Sequence, residues 1–216
     1  MTTAQVITVC KSLSDKYGSA IVSDSDWVNY INMAQLEVLN KLFPDSLGGG
    51  DFNVETDVNT LETVRPLVYS LTLTPSAGLL SNSALSTALQ AASGDSSCST
   101  YRLLNMSLAS DGTVIRFVKY NNINTFKANV FKNFTQSYPG YTLVAGGYQL
   151  TPSIALSVNV VCVKTPKILT NTGESIEYTD DVINQIVFTT LKLAGVQIRD
   201  EEIAFDVRNT AIETAQ

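Results

Sequence analysis

The two ends of the chain carry apolar residues at helical spacing, and the middle carries them at alternate positions. Val6, Val9 or Cys10, and Leu13 share one face of a short helix that runs to Lys16. Thr2 or Thr3 caps it, and Tyr17-Gly18 stops it. Ser23 or Asp24 opens a longer helix, with Asp24 and Asp26 where the helix dipole favours negative charge. Trp27, Tyr30, Ile31, Ala34, Val38 and Leu42 form its apolar stripe, and Asn29, Asn32, Gln35 and Lys41 its outer face. Pro44-Asp45 and Gly48-Gly49-Gly50 end it.

From about position 60 the period becomes two. Leu67, Tyr69, Leu71 and Leu73 alternate with polar or smaller residues, as on a half-buried strand. Strands are also predicted over 103–109, 113–120 and 141–150, the first two joined by the hairpin signal Ser110-Asp111-Gly112. Ile154, Leu156, Val158, Val160 and Cys162 line one face of a last strand, ended by Pro166. The stretch 76–100, rich in Ser, Ala and Leu with Asp95 its only charge, reads as a long polar loop serving as an interaction arm; Ser83 to Ala92 could form a short weak helix within it, against the competition of Ser and Thr for backbone hydrogen bonds. Helix then returns. Thr179 is an N-cap, Asp180 and Asp181 fill the first turn, and Ile183, Ile186, Val187, Thr190, Leu191 and Ala194 form a stripe closed by Gly195. A second helix begins near Asp200, with Ile203, Val207 and Ala211 on one face. The expected fold is α+β in a single domain over 1–216. Amphipathic N-terminal helices and a C-terminal helix pair (1–50 and 174–216) flank a mostly antiparallel β insertion (60–170) with its polar loop at 76–100.

Composition shifts the picture towards assembly. The 216 residues are 44% hydrophobic, enough for a core, while charged residues make up 16%, below the roughly 25% of ordinary soluble domains. Such a surface is finished with Ser, Thr and Asn or hidden against other subunits. There is no histidine, which removes the commonest general base and the Ser-His-Asp triad. Cys10, Cys98 and Cys162 include no Cys-x-x-Cys pair, and Cys162 in its valine run reads as a small hydrophobe. Gly48-Gly49-Gly50 lacks the Lys-Ser/Thr of a phosphate loop. The carboxylate pairs Asp24/Asp26 and Asp180/Asp181 sit at helix starts, where dipole compensation explains them. No catalytic, cofactor or metal site is expected, and the chain reads as non-enzymatic. No basic, apolar leader opens the chain and no 18-residue apolar run occurs, so no membrane partner is expected and synthesis in the cytoplasm is.

The net charge of −6 is unevenly distributed. Residues 1–101 hold four basic and ten acidic side chains, and 168–216 hold three and nine, so each carries −6. Residues 102–167 hold seven basic side chains and one acidic, a net +6. A set of solvated charges would explain this. So would nucleic-acid contact by the basic segment, with Phe117, Tyr120, Phe126, Phe131 and Phe134 interleaved, although no arginine cluster accompanies them. Head-to-tail docking fits better. In it Arg116, Lys119, Lys127 and Lys132 of one subunit meet Asp200, Glu201 and Glu202 of the next.

Three stretches carry a resemblance: the opening helix from Asp24-Ser25-Asp26-Trp27 to Asn32-Met33-Ala34; Tyr138-Pro139-Gly140-Tyr141 with Tyr148-Gln149-Leu150-Thr151-Pro152 and Val161-Cys162-Val163-Lys164-Thr165-Pro166; and Tyr178-Thr179-Asp180-Asp181-Val182-Ile183-Asn184-Gln185-Ile186. In this order the chain resembles head–tail connector or adaptor proteins of tailed bacteriophages, of the short-tailed or crAss-like type. The resemblance implies a homo-oligomeric ring of about twelve copies. It also implies contacts with the portal protein and further tail proteins, DNA passing through the lumen without sequence recognition, a place at the head–tail junction of the virion, and no catalytic residues or cofactor. The rival expectation is a β-rich surface- or carbohydrate-binding module, as in a tail fibre or adhesin. It requires an exposed aromatic platform, with Tyr138, Tyr141 and Tyr148 as candidates.

Overall fold

The computed structural model describes residues 1–16, 22–43, 58–118, 122, 134–153 and 156–196. The fold is α+β, and the chain divides into two compact units. One is helical and takes both ends of the chain, Met1–Asp45 and Pro166–Gln216, together with Val58–Pro66. The other, Ser46–Asp57 and Leu67–Thr165, holds all the described strands and one helix. The expected second C-terminal helix falls outside the described residues.

The helical unit contains α1 (Thr3–Lys16), α2 (Asp24–Leu42), the short α3 (Val58–Thr63) and α5 (Asp180–Leu193). Thr2 is the cap of α1. Its Oγ1 accepts from the Gln5 N–H at 3.3 Å, and Gln5 Oε1 accepts from the Thr2 N–H at 2.8 Å, a reciprocal capping box. The next N–H groups, of Thr3 and Ala4, donate to the carbonyls of Glu174 and Thr172. A loop far along the chain thus satisfies donors that a helix start otherwise leaves open. Ser23 Oγ accepts from the Asp26 N–H and caps α2. Thr179 occupies the N-cap of α5, but its hydroxyl donates to the Thr63 carbonyl at 2.9 Å and so ties α5 to the end of α3.

Trp27, Ile31, Ala34, Val38 and Leu39 of α2 are buried, as are Ile183, Ile186, Val187 and Leu191 of α5. Each buried Val, Leu or Ile among them contributes about 1.5–3 kcal/mol. Gln35 departs from expectation. It is buried rather than on the outer face, its side-chain amide donates to Asn32 Oδ1, and its backbone carbonyl accepts from the Tyr178 hydroxyl. Asn32 in turn holds Leu169 by both backbone groups, each at 2.9 Å. Polar side chains on this flank of α2 fasten the segment leading into α5, which a count of polar residues reads as a wet face.

That segment is locked at Glu174. Its carboxylate, on a side chain 18% exposed, accepts from the backbone N–H groups of Thr170 and Asn171 and pairs with Lys167 at 2.9 Å. The Thr170 N–H first, then Lys167 and the Asn171 N–H, pull the carboxyl down to about 2 from an ordinary 4.5. A lowered carboxyl stabilises the fold fully above the unfolded value and loses that contribution as pH falls through the folded one. Glu174→Gln should therefore lower the thermal midpoint at pH 7. The difference from wild type should shrink between pH 4.5 and 2 in a series of melts; a constant difference would show that the loop is not held by charge.

In the β unit, β1 (Val68–Leu73), β7 (Val158–Lys164) and β3 (Thr100–Leu108) form an antiparallel sheet with β7 in the centre. A second sheet runs β2 (Leu79–Ser81), β6 (Gly147–Thr151), β5 (Gly140–Val144), β4 (Arg116–Phe117). The stretch predicted as one strand over 141–150 is a hairpin. It turns at Ala145-Gly146, with Val144 opposite Gly147. The Asp111-Gly112 turn forms as expected, and Ile115 still donates to the Met106 carbonyl. The chain then leaves β3, and Arg116-Phe117 pairs in parallel with β5 in the other sheet.

The expected polar loop at 76–100 is not a loop. After β2, Asn82–Ser93 forms helix α4, capped by Ser81 Oγ on the Ala84 N–H and ended by Gly94 in the left-handed conformation. Leu85 and Leu89, one turn apart, enter the same core as Leu71, Met106, Ile115, Leu150 and Val160, and Cys98 follows them in. Alanine favours helix, and serine costs little on the wet face when another serine caps the start.

Candidate interaction surface

Of the residues expected at a subunit interface, only Arg116 is described, and it lies exposed on the edge strand β4. Lys119, Lys127, Lys132, Asp200, Glu201 and Glu202 lie outside the described residues. The other described basic side chains of 102–167 do not extend an open cationic face. Lys164 shares the parity of Val158, Val160 and Cys162 on the central strand and is 0% exposed, its Nζ 5.9 Å from the Tyr69 ring centroid. Lys167 is engaged by Glu174, and Arg102 is half-buried on β3.

The tyrosines separate in the same way. Tyr141 is buried and meets Phe117 and Tyr148 edge-on, at 5.5 and 5.9 Å between centroids. Burial pushes both the Tyr141 and Tyr148 hydroxyls up from the ordinary phenol range. Only Tyr138 of the three is exposed, at 73%. The flat platform that sugar binding requires is therefore not formed by these side chains.

A smaller, mixed surface is formed instead at one corner of the β unit. Val114 is 54% exposed, and Arg116 lies two residues on, facing the same way, while Ile115 between them is buried. The Arg116 N–H donates to the Pro139 carbonyl at 3.1 Å, which brings Tyr138 beside β4. Thr135 and Tyr138 exchange backbone hydrogen bonds of 3.3 and 3.1 Å, so the turn carrying the tyrosine is closed on itself. The parity of Val114 against Ile115 was the sequence signal for this corner; what hid it was that Tyr138 approaches from more than twenty residues further along the chain.

Cys10, Cys98 and Cys162 are free thiols and all buried. Burial pushes the Cys10 thiol to about 12 and, with Cys98 nearby, the Cys162 thiol to about 11. Thiols held in that state are packing groups, as expected for Cys162. Among the described residues no group of three or more His, Cys, Asp and Glu is placed to hold a metal ion, and no helix is long and apolar enough to cross a membrane. No protein-family model matches the chain, and no curated protein matches it.

Proposed function

We propose that this chain is a non-enzymatic structural protein of a tailed-phage virion, forming a homo-oligomeric ring between portal and tail whose lumen passes DNA. The observation that carries the reading is the architecture. Helices from both ends of the chain make one unit, and the whole β region is inserted between them. That is the order of elements on which the resemblance rests, and it reaches function by fold-level analogy. The segregated charge supports it, since the basic middle of one copy complements the acidic C-terminal region of the next.

Native mass spectrometry of the purified chain should show a closed ring or a constitutive larger particle. Raising salt from 0.1 to 1 M shortens the Debye length from about 10 to about 3 Å and should weaken assembly. Reversing Arg116, Lys119, Lys127 and Lys132 to Glu should prevent it while leaving the far-ultraviolet circular dichroism unchanged. A single-copy species at every concentration, or a turnover abolished by one substitution, overturns the reading.

A further inference from the structure

We propose that the corner of Val114, Arg116 and Tyr138 is the surface by which one copy docks on the exposed start of α5, at Asp180 and Asp181, of a second copy. The inference rests on the ring reading above and names its contact.

Three observations carry it. The first is exposure without looseness. Tyr138 presents most of its ring to solvent, yet its backbone is fixed by the two hydrogen bonds to Thr135 and by Pro139 after it. An aromatic side chain held in this way loses little freedom on binding. The second is composition. A tyrosine and an arginine beside an exposed valine match the residues that dominate binding energy at the centre of protein interfaces, and a polar-rimmed apolar patch marks such a site. The third is charge complementarity, which selects the occupant. Arg116 stands exposed at the corner, and Asp180 and Asp181 stand exposed at the start of α5. The helix start fixes the backbone that carries them, since the N–H groups of Val182 and Ile183 both donate to the Thr179 carbonyl. A guanidinium meeting carboxylates on a fixed backbone gains charge-assisted hydrogen bonds and register. Each copy presents both patches, so the contact can repeat head to tail from copy to copy, and it gives the ring where the rotation between copies closes.

Cysteine cross-linking tests this directly. Val114→Cys places a thiol within the corner and Asn184→Cys one beside the acidic pair, and both leave Tyr138, Arg116, Asp180 and Asp181 intact; Asn184 is exposed one turn after Asp181. The native thiols are buried and do not compete. When the two variants are mixed, co-assembled and oxidised, the mixture should yield a cross-linked dimer that neither variant yields alone. Tyr138→Ala should weaken association about tenfold or more with the circular dichroism unchanged. Wild-type assembly without that cross-link, together with normal assembly of Tyr138→Ala, overturns the docking surface and leaves the ring standing. Cross-linking of Val114→Cys to itself also overturns it, by showing a two-fold contact. A wild-type chain that stays single-copy overturns both.

Discussion

Leu89→Ala should destabilise the β unit by about 2–5 kcal/mol, the range for emptying a well-packed core position. Leu89 is fully buried, and with Leu85 it is the buried side of α4. The helix is twelve residues long, and helices of that length are marginal in water without packing. Removing one of its two anchors should therefore loosen the segment as well as lower the midpoint. In wild type, limited proteolysis should spare 82–93 despite its polar composition. In Leu89→Ala, cleavage there should precede global unfolding. Ser86→Ala, on the half-buried side of the same helix, is the control and should change stability by less than about 0.5 kcal/mol. Equal cleavage of wild type and Leu89→Ala within 82–93 would mean that α4 is not held by its leucines.

Local signals in this chain read true, and non-local ones did not. The boundaries of α1, α2 and α5 follow from a stripe plus a cap: Thr2 with Gln5, Ser23 with Asp26, and Thr179 before two aspartates. The Asp111-Gly112 turn is equally local. The exit of Arg116-Phe117 from one sheet to the other depends on β5, more than twenty residues later, and nothing near Arg116 announces it. At 76–100 the cap Ser81, the pair Leu85/Leu89 and Gly94 are all present in the sequence; the near-absence of charge points to loop, although a helix needs only a polar outer face, which hydroxyls supply. The charge pattern is a coarser signal. A count of seven basic residues carries no direction; among the described ones, strand parity turns Lys164 inward and a loop carboxylate engages Lys167. What remains of that surface, as far as it is described, is Arg116 with two neighbours that the charge count never included.

Gly147→Ala should be as damaging as the loss of a core leucine, for reasons of backbone alone. Gly147 follows the β5–β6 turn and pairs with Ser81 at the end of β2. Its φ is +144°, which side-chain-bearing residues rarely adopt, and a Cβ there would sit 2.2 Å from the Leu80 carbonyl oxygen and 2.9 Å from Ser81 Cα. Both obstacles are backbone, so no rotamer change relieves them. Strain at such a position and an overpacked contact each cost about 1–3 kcal/mol, giving about 2–6 kcal/mol together if β2 cannot withdraw. Withdrawal would itself break the β2–β6 pairing and disturb Ser81, the cap of α4. The neighbouring glycine separates this account from a general intolerance of the turn. A Cβ on Gly146 meets no atom within 4 Å, so Gly146→Ala should be neutral or stabilising by up to about 1 kcal/mol, through the reduced freedom of the unfolded chain. Urea melts of the two variants should therefore diverge in midpoint with similar slopes. Equal destabilisation by both would refute the proposed close approach of β2 to Gly147 and leave turn flexibility as the cause.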